Sequence, residues 1–512
     1  MIGRTMHLRD QPADANLRPP KIANTRRLPG LPHERASATH RYSHDTKQMN
    51  PTEKVTISAN GRRNFLKTLG GVGAAITAST GIVNAQGAPA RATGAKYMGD
   101  FAAPKLDKVK VAIIGVGARG SGHISQLATI EGVEVVGICD LSEGRAKGSE
   151  KNVTGKGHSP KVYFGEENAW QKMLAETKPD AVFIATPWEL HGPQAVAAMK
   201  AGAHAFVEIP IALTLEEMWD IVNTSEATGR HCMLMENVNY GREELLYLSM
   251  VRQGVIGELL HGEAAYIHEL RGQMNGGDST GSWRTLHYAK RNGNLYPCHG
   301  LGPVAQYMSL ARGEDNFRRL TSFSSPAKGR KLFAEKSTKL TKPEFKTLDY
   351  QCGDMNTSII KTTLGRTVMV QWDETSPRPY SRHNLIQGTK GTLKGFPNGM
   401  AIEGMTKSYH EWTSSEEFEA IAAKYEHPLF KRMGELSKKM GGHGGMDFLM
   451  LFRIVECLRK GEPLDQNVYE GCFWSAVAPL SEKSNKEDGM PQDFPDFTRG
   501  GWKTTKPLSI VA

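Results

Sequence analysis

The residues best suited to chemistry fall into a few short runs. Tyr296-Pro297-Cys298-His299 follows a Gly- and Asn-containing loop, and an imidazole titrates in the range needed to accept a hydroxyl proton near neutral pH. Tyr296, in the same run, becomes a second base if a nearby cation lowers the pKa of its phenol. Glu208, in Glu208-Ile209-Pro210, either faces a bound group or caps the helix that follows. His443 stands in a glycine-rich turn that equally well has a purely structural role. Trp283, Trp372 and Trp412 have the flat faces that stack on rings, although tryptophan more often packs a core. The six cysteines show no C-x-x-C pair, and H-E-x-x-H is absent, so no metal is expected.

These residues need a frame, and the chain supplies one. Val109-Lys110-Val111-Ala112-Ile113-Ile114 reads as a buried strand that breaks into Gly115-Val116-Gly117-Ala118-Arg119-Gly120 and then a helix. The next strand, Val133 to Cys139, ends in Asp140. In this order Gly115 makes the tight turn, Gly117 admits a pyrophosphate to the backbone, and Gly120 lets helix and strand pack closely. The helix N-terminus presents free N–H groups to the phosphates. Asp140 accepts from ribose hydroxyls and repels a 2′-phosphate, so NAD is expected rather than NADP. The alternation continues through Ala181–Pro187, Trp188-Glu189-Leu190-His191, His204–Val207 and a strand near 231–235. This predicts an α/β chain: a Rossmann doubly wound parallel sheet over 105–236, then a second, C-terminal domain over 237–512, to which the resemblance described below gives substrate binding and oligomer contacts.

Composition narrows the partners. The 512 residues carry a net charge of +10, but residues 1–85 hold 13 Lys+Arg against 5 Asp+Glu, leaving the remainder at +2. A nucleic-acid-binding body is therefore not expected. Residues 1–48 lack periodicity and read as a disordered segment or as sequence upstream of a start at Met49. Residues 49–85 carry Arg62-Arg63-Asn64-Phe65-Leu66-Lys67, a weakly apolar Thr68–Val83 and a small-residue end at Ala85, which resembles a twin-arginine export signal. Thr68–Val83 is 16 residues with five glycines or serines, too short and too polar to span a bilayer. Cleavage after Ala85, a linker over 86–104, passage through the twin-arginine translocation machinery and a periplasmic or otherwise exported product are the expectations.

The runs Gly115–Gly120, Ala185-Thr186-Pro187, Glu208-Ile209-Pro210 and Glu236-Asn237 resemble the glucose–fructose oxidoreductase and inositol 2-dehydrogenase superfamily. Typical dehydrogenases of that group have lysine where this chain has Ile209. Trp188-Glu189-Leu190-His191, Asn237 to Arg242, Ser282-Trp283-Arg284, Tyr296 to Gly302 and His443 to Asp447 resemble a particular branch, glycoside hydrolase family 109. The resemblance covers about residues 60–485. It implies a C-terminal α/β domain with an open, mostly antiparallel sheet, a homo-oligomer, a small carbohydrate substrate and NAD as cofactor. It implies that Arg119, Gly120, Asp140, Trp188, Glu189, Leu190, His191, Glu208, Ile209, Asn237 and Tyr296 line NAD. It places Tyr266, Arg284, Tyr296, Pro297, Cys298, His299 and Tyr380 around the sugar.

The chemistry so implied is a glycosidase, commonly on α-N-acetylgalactosaminides, in which the sugar is oxidised at C3, loses its C1 substituent by elimination, adds water and is reduced again. The sequence offers no organised pair of carboxyl groups for ordinary glycoside hydrolysis, in keeping with that route. His299 is then the base at the 3-hydroxyl, and Tyr296 or Tyr266 the base at C2. The alternatives are a sugar oxidoreductase with net hydride transfer and a non-catalytic NAD-dependent sugar-binding protein.

Overall fold

The computed structural model describes residues 88–276 and 280–509. The segments read as an upstream stretch and an export signal lie outside the described residues. Six parallel strands, β1 (Val109–Ile114), β2 (Val133–Cys139), β3 (Lys161–Tyr163), β4 (Ala181–Ile184), β5 (His204–Val207) and β6 (Cys232–Leu234), form a sheet in the order β3-β2-β1-β4-β5-β6. β4, β5 and β6 are buried at every position, as expected where helices cover both faces of a parallel sheet. The order reverses between β1 and β4, the crevice where a doubly wound sheet holds its ligand. Helices enter that sheet with defined starts. Thr214 and Glu217 form a capping box for Leu215–Thr228, which ends on Gly229 in the left-handed region.

The second sheet has eight strands: β7 (Leu259–Ile267), β8 (Phe317–Ser324), β9 (Asn356–Thr362), β10 (Thr367–Asp373), β11 (Leu385–Gly388), β12 (Gly391–Lys394), β13 (Gly399–Ile402) and β14 (Gln492–Asp493). Their order is β13-β12-β11-β7-β10-β9-β8-β14, with only β7 and β10 parallel. Alternating burial along β9 and β10 shows one face covered and one open. The architecture is therefore a Rossmann sheet followed by a mostly antiparallel open sheet, as the sequence led us to expect.

Between residues 428 and 460 the chain leaves the second sheet, before the helix Val468–Lys486 and β14 return to β8. The helix Met446–Lys460 packs on the helix Ala118–Leu127 beside β1. Phe448, Leu451, Val455 and Leu458 join Val111, Ile113 and Leu127 in one apolar cluster. The two sheets thus belong to one compact unit, and the returning helix brings C-terminal side chains to the glycine turn. All six cysteines are buried and free, and among the described residues no helix is long and apolar enough to cross a membrane.

Candidate active site

The glycine turn does what its spacing requires. Gly115 has φ +85°, and a Cβ there would lie 2.7 Å from the Ala185 carbonyl oxygen; a Cβ at Gly120 would lie 1.9 Å from that of Gly115. A Cβ at Gly117 would meet no protein atom within 4 Å. The first and third glycines are thus needed for packing, and the second opens onto space. That space is a cavity of about 940 Å³ lined by Gly115, Gly117, Asp140, Trp188, His191 and Glu208 among others, a size suited to a cofactor. The helix Ala118–Leu127 has no side-chain cap at its start, so its N–H groups remain available to an anion. Asp140 at the end of β2 accepts from the Val116 and Ser142 N–H groups, both at 2.8 Å. The Trp188 indole N–H on the cavity wall is buried without a partner. These residues fit a dinucleotide.

Toward the other end of the cavity lies a buried ionic network. Arg119 reaches Glu208 (Nε–Oε1 3.1 Å) and Asp447 (Nη1–Oδ2 2.9 Å and Nη2–Oδ1 3.3 Å). His123 lies 2.6 Å from Glu208 Oε1, and Asn237 donates to Asp447 Oδ1 at 2.6 Å. Burial alone would raise the Glu208 and Asp447 carboxyls. Arg119, with His123 on Glu208 and His443 on Asp447, more than reverses that and holds both well below the usual carboxylate range. His443 Nδ1 is 2.8 Å from Asp447 Oδ2 and 3.0 Å from Arg119 Nη1, which ties the glycine-rich turn to the cofactor crevice.

The expected cofactor residues divide into wall and support. Arg119, Asp140, Trp188, Leu190, His191, Glu208 and Ile209 line the cavity. Gly120 is not at its surface and acts through packing. Glu189 pairs with His287 at 3.0 Å, and Asn237 stands behind Arg119 on Asp447; neither lines the cavity. His191 is buried, with Nδ1 2.6 Å from the Pro210 carbonyl and Nε2 2.8 Å from that of Thr186.

The expected sugar residues form an aromatic cluster that adjoins the cavity rather than lining it, except for Arg284. The Tyr296 ring stacks 6.0 Å from Trp188. The ring centres of Tyr266, Tyr296 and His299 are mutually 5.1 Å apart. Tyr380 stands 6.2 Å from Tyr266 and is 38% exposed, at the outer edge. The Arg284 guanidinium sits 4.8 Å from the Tyr296 ring centre and 5.1 Å from that of Trp188. These contacts come from the turn after β4, from β7, from the start of the helix Cys298–Tyr307 and the segment before it, from the helix Thr280–Lys290 and from the loop after β10.

Two details differ from the sequence expectation. Arg284 does pull on the Tyr296 hydroxyl, but burial outweighs it and the phenol is raised; Tyr266 is raised by burial as well. Both rings are therefore neutral hydrogen-bonding groups at rest. Cys298, expected at the sugar, is fully buried with Sγ 3.8 Å from Ser475 Oγ and does not line the cavity. Burial pushes its thiol up. Three residues escaped the sequence reading as site members. Glu236 bonds His299, His268 Nδ1 stands 3.1 Å from the Tyr266 hydroxyl, and Asp447 grips Arg119. Asp447 lay within a quoted motif and Glu236 at a presumed domain boundary, so both carried a faint signal. Among the described residues no group of His, Cys, Asp and Glu could hold a metal ion.

A Rossmann sheet whose glycine turn opens on a cavity, with a histidine–tyrosine cluster at its inner end, defines an NAD-binding enzyme of the oxidoreductase fold. Two family models match the chain: an oxidoreductase family with NAD-binding Rossmann fold over residues 109–236, and the C-terminal domain of glycosyl hydrolase 109 over residues 240–504. The chain belongs to glycosyl hydrolase family 109. It is 59% identical over 480 residues to glycosyl hydrolase family 109 protein 1 of Akkermansia muciniphila, covering 89% of this chain and 99% of the relative. It is 54% identical to a family 109 protein of Shewanella pealeana over 88% of this chain and 99% of that one. Among solved structures, a levoglucosan dehydrogenase in complex with NADH and levoglucosan matches 76% of this chain and 100% of its own, with TM-score 0.56 at 16% identity. A myo-inositol 2-dehydrogenase from Lactobacillus plantarum matches 76% and 100%, with TM-score 0.53 at 15% identity. These two share the fold. The protein is an NAD-dependent glycoside hydrolase.

Proposed function

We propose that the enzyme cleaves α-linked N-acetylgalactosaminides by way of transient oxidation at C3 of the sugar. The observation that carries this reading is the state of the carboxylates at the inner end of the cavity. Ordinary glycoside hydrolysis needs one carboxylic acid kept protonated, whereas Glu208 and Asp447 are both driven toward the charged form by Arg119. The groups left to move protons are His299 and the phenols.

Arg119, Asp140, Trp188 and Glu208 would hold NAD in the crevice, where it would supply a hydride acceptor for C3 of the sugar and the donor that reduces the same carbon again, with no net change over a turnover. His299 accepts the 3-hydroxyl proton. The C2 proton falls to Tyr266 or Tyr296. His268, 3.1 Å from the Tyr266 hydroxyl, gives that phenol an acceptor for its own proton, which favours Tyr266. Arg284, held over Tyr296 and Trp188, places a positive charge beside the oxygen that becomes electron-rich when C2 loses its proton. Asn237 and Asp447 hold Arg119, and through it Glu208, against the cofactor crevice.

The decisive assay mixes purified protein with an aryl α-N-acetylgalactosaminide and no added NAD. Aryl release without net NADH supports the reading. Stoichiometric NADH instead assigns a sugar oxidoreductase with net hydride transfer, the reading that the dehydrogenase folds keep open and Ile209, in place of lysine, opposes. Release from another glycoside alone moves the substrate assignment.

Two further readings concern setting. Residues 49–85 direct export by the twin-arginine route, leaving a product that starts near Gln86; recovery of periplasmic protein still carrying residues 1–48 would overturn this. The open face of the second sheet is the contact of a homo-oligomer. It exposes Phe323 and Ile359 on neighbouring strands, with Met369 next to Ile359, and apolar groups so exposed favour a partner surface. Light scattering that gives a monomer at micromolar concentration would exclude it.

A further inference from the structure

We infer that Glu236 is a positioning residue whose buried carboxylate fixes the proton of His299 on Nδ1, so that Nε2 is the basic atom. The inference rests on the reading of His299 as the base at the 3-hydroxyl.

Glu236 follows β6 and is fully buried. Its Oε1 accepts from the Val238 N–H at 3.0 Å and lies 2.8 Å from His299 Nδ1; its Oε2 is buried with no partner. A carboxylate only accepts, so the short contact requires the proton on Nδ1. The main chain of Glu236 is pinned as well, because its carbonyl accepts from Gln466 Nε2 at 3.0 Å.

The helix that carries His299 is fixed on two sides by glycines. A Cβ at Gly300 would fall 2.3 Å from the Ala265 backbone nitrogen of β7, and one at Gly302 would fall 2.9 Å from Glu236 Cγ and 3.0 Å from Asn239 Oδ1. Gly302 is three positions after His299, on the same helical face. The helix therefore sits so close to Glu236 that the carboxylate and imidazole are held together by packing, not by one hydrogen bond alone.

This arrangement gives Glu236 a function in the proton transfer. When Nε2 takes the substrate hydroxyl proton the ring becomes an imidazolium, and the buried carboxylate, with one oxygen unpartnered, stabilises it. The titratable groups whose rings meet the His299 cluster are Tyr266 and His268 at the end of β7, Tyr296 ahead of its own helix, and Tyr380 at the edge; Arg284 lies over Tyr296, and Glu374 and Glu269 act through space on His268. None of them is a second carboxylate on the ring.

The test compares Glu236→Gln, Glu236→Asp and His299→Ala in the NAD-loaded enzyme. Glu236→Gln keeps shape and removes charge. It is expected to lower kcat about 10²-fold or more with little change in KM, and to move the acidic limb of the kcat/KM profile to lower pH. Glu236→Asp is expected to recover part of kcat and return the limb toward its original position. Nitrogen NMR of the unaltered protein should show His299 protonated on Nδ1, and that signature should shift in Glu236→Gln. A His299→Ala enzyme without activity, beside a Glu236→Gln enzyme with unchanged kcat and pH limb, overturns the positioning role while the base stands. Near-normal turnover in His299→Ala overturns the base. An Nε2-protonated His299 in the unaltered protein overturns the inference whether or not the variants fold.

Discussion

The phosphate end and the sugar end of this site are built by opposite means. At the phosphate end the binding groups are backbone: a left-handed Gly115, an open Gly117 and a helix start without a side-chain cap. At the sugar end every useful group is a side chain, and the contacts span long stretches of chain. His299 reaches back 63 positions to Glu236, and Arg119 reaches forward 328 to Asp447. The contrast teaches that the first end tolerates no change of backbone shape but little depends on its side chains, whereas the second can lose its chemistry with its shape intact.

The largest expected effect tests that separation directly. His299→Ala should lower turnover by about 10²–10⁴-fold, the range for removing a general base, while NAD binding measured by fluorescence or calorimetry stays within a few-fold. Loss of cofactor binding together with activity would show that the two ends are not separable.

The phosphate end yields a sharper contrast between two glycines. Gly120→Ala places a Cβ 1.9 Å from the Gly115 carbonyl oxygen, so the helix must move and both stability and NAD affinity should fall. Gly117→Ala meets no protein atom within 4 Å. Its melting temperature should change little, and its NAD affinity should drop on the order of tenfold or more, because the backbone can no longer approach the pyrophosphate. If Gly117→Ala binds NAD normally, the pyrophosphate lies elsewhere in the cavity.

The same contrast explains how far the site was legible in the sequence. Residues 109–140 form a local unit, with strand, turn, helix, strand and Asp140 in order, and each glycine's role follows from spacing alone. The second sheet has no comparable local code. Its one parallel pairing, β7 with β10, joins residues about a hundred positions apart. The apolar run Phe448–Leu458 reads as a buried helix, but nothing local states that it covers the first sheet and not the second. Its return is what delivers Asp447 to Arg119. The motif around His299 drew notice by its composition and its family likeness; its partner Glu236 did not, because a single acid at a strand end has many ordinary uses. The Tyr296 expectation failed in one respect for an energetic reason: proximity of Arg284 suggested an acidified phenol, and burial proved the larger influence.

Acid gives the mildest probe, and it should act on buried histidines rather than on the site's carboxylates. Glu208 and Asp447 are held low by Arg119 and stay charged as pH falls through the weakly acidic range. Buried and half-buried histidines behave otherwise: burial lowers His191 on the cavity wall and His268 beside Tyr266, and three more lie away from the site. His204 at the start of β5 donates no charge: its Nδ1 accepts from the His231 N–H at 2.9 Å, and the two rings lie 5.1 Å apart. Burial lowers His204 to about 4, and burial with the neighbouring His204 takes His231 well below its ordinary value. Burial lowers His427, at the start of the helix Pro428–Met440, to about 4 as well. The sign follows from proton uptake. Below about pH 6.5 the unfolded chain binds protons that the folded chain refuses, so stability is complete above that pH and declines as pH falls toward 4. Each histidine contributes a slope of at most ~1.4 kcal/mol per pH unit. Thermal melts between pH 7 and pH 5 should show a falling midpoint, and His204→Gln should flatten the fall. A midpoint that stays level over this range would mean the histidines are not buried neutral.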